Sequence, residues 1–155
     1  MEIMIRNKLR KILIIVAIAS SALANDIIIK NSSCTVGETV TNLKHLIRNK
    51  GLDIFDTINH GSNARLVDMK LNESELVVFG NPRLGSSLMR EDMTAGIDLP
   101  LRVLVYKDND GKVKIAYRDG SWLEKNHMFK SSEKTAKVTK VMDKFTTEAG
   151  KCDRE

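Results

Sequence analysis

Alternation of apolar and polar residues runs through much of the chain and indicates a fold rich in β-strands. The predicted strands lie at 27–29, 53–60, 76–79, 101–105 and 113–117. The third strand is continuously apolar and is followed by Gly80, which is typical of a strand covered on both faces. The turn sequence Asp-Asn-Asp-Gly at 108–111 joins the last two strands and predicts a hairpin.

Helical spacing of apolar residues predicts a helix after the first strand and another at the end of the chain. The first helix is expected to follow Thr35, because Thr35 and Glu38 have capping-box spacing and Gly51 is a natural stop. Its apolar face consists of Val40, Leu43, Leu46 and Ile47. The apolar stripe of the last helix consists of Val138, Val141, Met142 and Phe145.

Two shorter helical segments complete the predicted elements. A second capping box at Ser121 and Glu124 predicts a short helix there, and 61–74 is predicted to hold one or two helical turns. The principal elements follow the order β-α-β(4)-α, which predicts an α+β domain with a largely antiparallel sheet and helices packed on one face. Residues 25–130 are expected to form the domain core, and 131–155 the C-terminal helix and tail of the same domain.

The first 24 residues have the pattern of a secretory signal peptide. Four basic residues precede the apolar run 12–19, and Ala22 and Ala24 are small residues in the positions required for cleavage. The apolar run is too short to span a bilayer, which requires about 20 residues. We therefore expect cleavage after Ala24, a periplasmic or secreted protein, and no stable membrane anchor after cleavage.

Much of the basic charge belongs to this signal segment. It contains four Lys or Arg and one Glu, so it accounts for +3 of the net charge of +5. A nucleic-acid-binding domain needs a clustered basic face, and the remaining charge is small. No nucleic-acid partner is predicted.

Export also bears on the two cysteines, because disulfides persist outside the cytoplasm. Cys34 and Cys152 lie near opposite ends of the exported chain. The hypothesis is that they pair and tie the C-terminal tail to the first strand. The alternative is two independent thiols, since residue spacing does not define bond geometry.

The connection 80–100 is the best candidate for a functional segment. It has no clear periodicity and contains both prolines of the chain, and loops longer than about 12–15 residues are usually functional or disordered. In an antiparallel sheet its two ends lie beside the end of the last strand. The candidate ligand-binding residues there are Asn81, Arg83, Ser87, Asp98 and Tyr117. The alternative is a capping loop whose polar side chains satisfy turn backbone.

His60 is a further candidate with two interpretations. It shares parity with Ile54 and Ile58, so it is either a hydrogen-bonded histidine at the core edge or an acid/base or ligand contact at a strand end. In the predicted topology it lies at the opposite edge from the long connection, unless its strand pairs in parallel or a second subunit supplies it.

The sequence motifs favour no cofactor and no built metal site. The segment 80–87 resembles a phosphate-binding loop, but Ser86 replaces the essential lysine and Pro82 lacks an N–H donor. The three histidines lack the spacing of a zinc site. One metal alternative stays open, a Cu(I) site built from His60, Met89, Met93 and Met128.

Several short motifs resemble one known family. The motifs are 49–52 (Asn-Lys-Gly-Leu), 58–60 (Ile-Asn-His), 78–82 (Val-Phe-Gly-Asn-Pro), 88–89 (Leu-Met), 95–100 (Ala-Gly-Ile-Asp-Leu-Pro), 110–113 (Asp-Gly-Lys-Val) and Tyr117. From Thr35 to His127 the chain resembles the domain-of-unknown-function family numbered three hundred and two. The resemblance implies a β-α-β(4)-α fold and a homodimer, and it implies no agreed activity.

The leading expectation for function is a non-enzymatic exported module. It would bind a small ligand or an envelope protein through the 81–98 segment and the Tyr117 edge. Two alternatives remain open, an enzyme that uses His60 as general acid/base on a small substrate, and a periplasmic copper-handling protein.

Overall fold

The computed structural model describes residues 26–152, which form five strands, five α-helices and one 3₁₀ helix. The strands are β1 (Ile28–Asn31), β2 (Asp53–Asn59), β3 (Ser74–Gly80), β4 (Leu101–Lys107) and β5 (Val113–Tyr117). The α-helices are α1 (Val36–Asn49), α2 (His60–Arg65), α3 (Pro82–Met89), α4 (Gly120–Asn126) and α5 (Glu133–Ala149). The 3₁₀ helix is Met93–Ile97. The predicted signal peptide lies outside the described residues.

The strands form one antiparallel sheet in the order β1-β5-β4-β3-β2. Side chains alternate between its two faces. One face packs against α1 and α5 and contains the core, which includes Val77, Phe79, Val105 and Ile115. The architecture confirms the predicted α+β fold with an antiparallel sheet, and the predicted hairpin of β4 and β5 is also confirmed.

The opposite face of the sheet carries half-buried side chains. On β3, Val77 and Phe79 are fully buried, whereas Leu76 and Val78 are only half-buried. The prediction that this strand is covered on both faces is therefore wrong. The continuous apolar run reflects one helix-covered face and one face whose apolar residues stay accessible, which we call the open face.

The first helix forms as its sequence predicts. Thr35 accepts a hydrogen bond from the backbone N–H of Glu38, and the Glu38 carboxylate accepts one from the N–H of Thr35. These bonds to Thr35 lower the pKa of the Glu38 carboxyl. Both partners of the capping box are thus present.

Two of the shorter helices start elsewhere than predicted. The amide of Asn59 caps α2 by accepting from the N–H of Ser62, so His60 opens a helix instead of ending a strand. Helix α4 is capped by Asp119, whose carboxylate accepts from the N–H groups of Ser121 and Trp122. The predicted capping box at Ser121 is wrong, because the N–H of Ser121 donates to Asp119 and the Glu124 carboxylate accepts from the Thr135 hydroxyl instead.

The connection 80–100 is not an irregular loop. The Asn81 side chain accepts from the N–H groups of Arg83 and Leu84, and Pro82 occupies the first helical turn of α3, where its missing N–H costs nothing. The 3₁₀ helix follows, capped by Asp92. Gly85 and the adjacent serines are weak helix formers. For this reason the spacing of apolar residues does not predict α3.

The C-terminal tail is fixed to the end of β1. Cys34 and Cys152 form a disulfide with an S–S distance of 2.02 Å, which confirms the predicted pair. Beside it, the N–H of Ser33 donates to Gly150 O at 2.8 Å and the N–H of Cys152 donates to the Ser33 hydroxyl at 2.8 Å. The covalent bond thus reinforces a hydrogen-bonded contact.

Candidate functional site

One end of the sheet collects the segments that the sequence singles out. In register, Phe79 near the end of β3 opposes Leu101 at the start of β4, and Val103 opposes Tyr117 at the end of β5. Asn81, Asp98 and Tyr117 therefore lie near the same end. We call it the loop end of the sheet.

His60 lies at the other end. Asp53 opposes Gly80, whereas Asn59, which precedes His60, opposes Glu75 at the start of β3. Six strand residues at about 3.3 Å each separate these positions by about 20 Å. Within one subunit, His60 does not join the residues at the loop end.

A cavity of about 280 Å³ opens at the loop end, on the open face of the sheet. Its floor consists of Leu76, Leu104 and Ala116, from three neighbouring strands. Trp122 from α4 forms a wall. We call this the sheet-face cavity.

Two arginines and one carboxylate line this cavity. The Arg118 guanidinium stacks on the Trp122 ring at 4.4 Å from its centroid, and among residues 26–152 no carboxylate pairs with it. Arg102 donates to the Ile97 carbonyl at 2.7 Å and lies 3.8 Å from the Asp98 carboxylate. The cavity thus combines an apolar floor with a cationic rim.

A nearly buried histidine, His127, contacts the Asp98 carboxylate. The side chain of His127 is 6% exposed, and its Nε2 lies 2.9 Å from Oδ2 of Asp98. Its Nδ1 lies 3.4 Å from the Thr94 hydroxyl and 3.5 Å from Asp92. Each ring nitrogen therefore faces an oxygen, and the imidazole ties two acidic residues of the 80–100 segment to the end of α4.

Asp92 is the most strongly perturbed acid of this cluster. Its carboxylate accepts from the Thr94 hydroxyl at 2.6 Å and from the backbone N–H of Met128 at 3.0 Å. Together with the backbone N–H of Thr94 and the charge of His127, these bonds lower its pKa from the ordinary 3.8 to about 2. The charge of Asp92 stabilises the segment that carries Asp98.

Tyr117 contributes to the site mainly through its backbone position. Its ring is buried on the helix-covered side, with the Lys30 ammonium 5.6 Å from the ring centroid. Burial alone would lower the pKa of Lys30, but hydrogen bonds to Asp143 and Tyr117 outweigh it and raise the pKa. Tyr117 thus contacts Lys30 on the helix-covered side and directs no ring atom into the open face.

The other predicted residues belong to α3. Asn81 borders a second, smaller cavity of about 170 Å³, lined mostly by apolar residues such as Leu88, Leu99 and Pro100. The Asn81 side chain caps α3, and the Ser87 hydroxyl donates to the Leu84 carbonyl inside the helix. Arg83 is exposed on the same helix. The structure therefore separates Asn81, Arg83 and Ser87 from Asp98, with Leu101 bordering both cavities.

The methionines considered for copper differ in their surroundings. Met89 lines the smaller cavity, whereas Met93 and Met128 are 71% and 84% exposed. Within residues 26–152 there is no cluster of three His, Cys, Asp or Glu side chains that could hold a metal ion. His60 lies at the far end of the sheet from the connection that carries Met89 and Met93.

The sequence predictions did not include Arg102, Arg118, Trp122 or His127 as site residues. Period-two alternation in β4 and β5 places Arg102 with Leu104, and Arg118 with Ala116, on the open face, so that signal was available. His127 and Asp98 are 29 positions apart, and no local pattern links them.

A model of a known protein family matches most of the chain. The chain belongs to the family described as Domain of unknown function DUF302, whose model matches residues 28–145. A solved structure of an uncharacterized conserved DUF302 protein from Bacillus stearothermophilus has a similar fold, with a TM-score of 0.69. It is 17% identical to this chain, and the likeness covers 81% of this chain and 99% of that one.

Part of the chain is also similar to longer proteins. It is 32% identical over 108 residues to a fluoride-specific ion channel, FluC 1, of Brucella suis, and equally to FluC 1 of Brucella abortus. The match covers 70% of this chain but only 42% and 40% of those relatives, so the chain spans about two fifths of their length. No helix within residues 26–152 is long and apolar enough to cross a membrane.

Proposed function

We propose that this protein is an exported, homodimeric module that binds a small ligand in the sheet-face cavity. The observation that carries the proposal is a concave apolar site on the open face of the sheet, with a guanidinium stacked on tryptophan at its rim. Ligand sites are typically concave, mostly apolar and equipped with a few convergent polar groups.

Ligand binding is favoured over acid/base catalysis by His60. A general base acts within hydrogen-bond reach or through one water molecule. Within one subunit, His60 is about 20 Å along β2 from the loop end of the sheet, so it cannot act on a ligand in the sheet-face cavity of its own chain. Copper handling is less favoured, because Met93 and Met128 are 71% and 84% exposed.

Export is supported by the disulfide, because such bonds persist in oxidising compartments. Self-association is supported by an exposed apolar segment between α2 and β3, in which Leu66, Val67, Met69 and Leu71 are each more than half exposed. Exposed apolar patches often mark protein–protein contacts. A second copy of the chain is the proposed partner for this segment.

Ligand binding can be tested by native mass spectrometry of the protein purified from its own envelope. We expect a retained ligand on the wild type that is lost in Ala116→Phe, because the larger side chain fills the cavity floor. The matched control is Ala136→Phe, at an exposed position of α5, which should retain the ligand. A ligand that stays on Ala116→Phe, or no ligand on any form, would contradict the proposal.

The same spectra test export, since cleavage after Ala24 fixes the mature mass. A protein that retains residues 1–24 would contradict the exported state.

The dimer can be tested by light scattering on two methionine variants. Met69→Asp should give monomers, because it places a charge in the exposed segment. Met93→Asp, at a similarly exposed methionine beside the 3₁₀ helix, should leave the dimer intact. Monomeric wild type, or equal effects of both variants, would contradict this interface.

A further inference from the structure

We infer that the ligand of the sheet-face cavity is a monoanionic carboxylate of about nine non-hydrogen atoms, most of them in an apolar body. This inference rests on the proposed function and names the chemical class that the site takes. It follows from the size, the lining and the charge of the cavity.

The size of the ligand follows from the cavity volume of about 280 Å³. A water molecule occupies about 30 Å³ in the liquid, so the cavity holds about nine groups of that size. The side chains of Leu76, Leu104 and Ala116 offer the floor no hydrogen-bonding group. The part of the ligand that rests on this floor is therefore a hydrocarbon chain or ring.

The sign of the ligand's charge follows from the ion pairs. Arg102 and Arg118 contribute two positive charges, and Asp98 contributes one negative charge. Arg102 already lies beside Asp98, whereas Arg118 has no carboxylate partner within the described part of the chain. One positive charge is left over, and it matches a single anionic group.

The geometry favours a carboxylate over a more highly charged group. A guanidinium binds a carboxylate through two parallel hydrogen bonds, and the contact with the Trp122 ring, 4.4 Å from its centroid, restricts the position of the Arg118 guanidinium. The Asp98 carboxylate lines the same cavity and would repel a dianion such as a phosphate monoester. Asp98 is itself held by His127 at 2.9 Å.

Asp26, which precedes the lining residue Ile27, forms an ion pair with Lys125 of α4. Lys125 Nζ lies 3.1 Å from Asp26 Oδ1. That pair adds no net charge, so Arg118 remains the cation on which a ligand anion would settle. The apolar floor then orients the rest of the molecule across the sheet.

The test compares the affinities of octanoate and its neutral isostere octanamide, measured by calorimetry with the protein after removal of residues 1–24. Octanoate should bind at least tenfold more tightly than octanamide, because a charge-assisted pair contributes roughly ten- to a hundredfold in affinity. Trp122, the single tryptophan of the chain, provides an independent fluorescence readout of binding at this site.

The variant Arg118→Gln should abolish the preference for octanoate and leave octanamide binding unchanged. Arg83→Gln, an exposed arginine on α3, is the matched control and should keep the preference. Arg118→Lys should keep part of it, since it retains the charge but not the paired donors. Octyl phosphate should bind no more tightly than octanoate.

The outcomes separate the inference from the proposed function. Equal binding of octanoate and octanamide, both lost in Ala116→Phe, would overturn the inference and leave the ligand-binding function standing. Three other results would also overturn the inference: a preference for octanoate that survives Arg118→Gln, tenfold tighter binding of octyl phosphate than of octanoate, or no binding of octanoate at about 10 mM. A concentration of about 10 mM is a generous ceiling for a specific site. If envelope-purified protein also carried no ligand, the proposed function would fail with it.

Discussion

Single side chains at the loop end of the sheet depend on charge-assisted hydrogen bonds. Asp92, Asp98 and His127 form one connected group, in which His127 lies between the two carboxylates. Hydrogen bonds to ionised groups are stronger than neutral ones. The cluster therefore links the segment after α3 to the segment after α4 at a point where no strand pairing does so.

The lowered pKa of Asp92 predicts acid sensitivity at a defined pH. A carboxyl with pKa of about 2 in the folded state and 3.8 ordinarily stabilises the fold above pH 4 and loses that contribution as the pH falls towards 2. Wild type should therefore be more stable than Asp92→Asn above pH 4, and most of the difference should be lost by pH 2, where half of the folded-state carboxyl is protonated. Thermal melts from pH 6 to pH 2 measure this difference.

Thr94→Val is the control for this prediction. The hydrogen bond from the Thr94 hydroxyl is the largest cause of the lowered pKa of Asp92. Thr94→Val should therefore lose less stability than wild type between pH 4 and pH 2. A difference between wild type and Asp92→Asn that stayed constant across the range would exclude the carboxylate as its source.

A pair of glycines allows a steric prediction at the residue scale. A Cβ on Gly120 would lie 1.8 Å from the Thr135 carbonyl oxygen of α5, whereas a Cβ on Gly85 of α3 would meet nothing within 4 Å. Gly120→Ala should destabilise the fold by about 3 kcal/mol or more. Gly85→Ala should stabilise it by about 0.5–1 kcal/mol, because alanine suits a helix better. Denaturant unfolding of both variants decides, and equal effects would contradict the close approach of α4 to α5.

At the scale of elements, the sequence predicts what neighbouring residues determine. Helix α1 is predictable because Thr35 and Glu38 satisfy each other within one turn. The start of α4 is not, because Asp119 and Ser121 are both good caps and only the backbone path selects Asp119. The Asn81 cap and Pro82 do signal the start of α3. The helix is nevertheless not predicted, because its interior residues have weak helix propensity.

The candidate site is likewise predictable only in part. Which strand ends meet is predictable from antiparallel order, and Asp98 and Tyr117 do line one cavity. Asn81 and Ser87 do not face it, because α3 directs them to its own backbone. Only tertiary packing brings His127 to Asp98.

Helix α3 supplies the test of Asn81 as a structural cap. Asn81→Ala should lower the free energy of unfolding by about 1 kcal/mol, because two backbone N–H groups lose their acceptor. Asn81→Asp keeps that acceptor and should retain stability. Both variants should bind octanoate as the wild type does. Lost binding with unchanged stability would instead make Asn81 a ligand contact.

At the scale of the molecule, the disulfide joins residues 118 positions apart and so constrains nearly the whole described chain. Cross-links that close long loops restrict the unfolded ensemble most. The adjacent hydrogen bonds of Ser33 hold the tail in the same position without the covalent bond. The disulfide is thus expected to act on stability and not on the path of the chain.

The double variant Cys34→Ala/Cys152→Ala should fold and lose up to about 5 kcal/mol of stability, the limit for a loop of this length. Guanidinium unfolding measures the loss. Reductant should lower the midpoint of the wild type towards that of the variant and leave the variant unchanged. Identical midpoints for oxidised wild type and variant would show that the bond does not stabilise the fold.

The placement of β1 at the sheet edge has a practical consequence for recombinant work. Ile27, just before β1, borders the sheet-face cavity, whereas Cys152 lies beside Ser33, beyond the opposite end of the same strand. An affinity tag or fused protein attached ahead of residue 26 would emerge at the cavity mouth and compete with added compounds. Cys152 lies away from the cavity mouth, so a C-terminal tag is the better arrangement for screening.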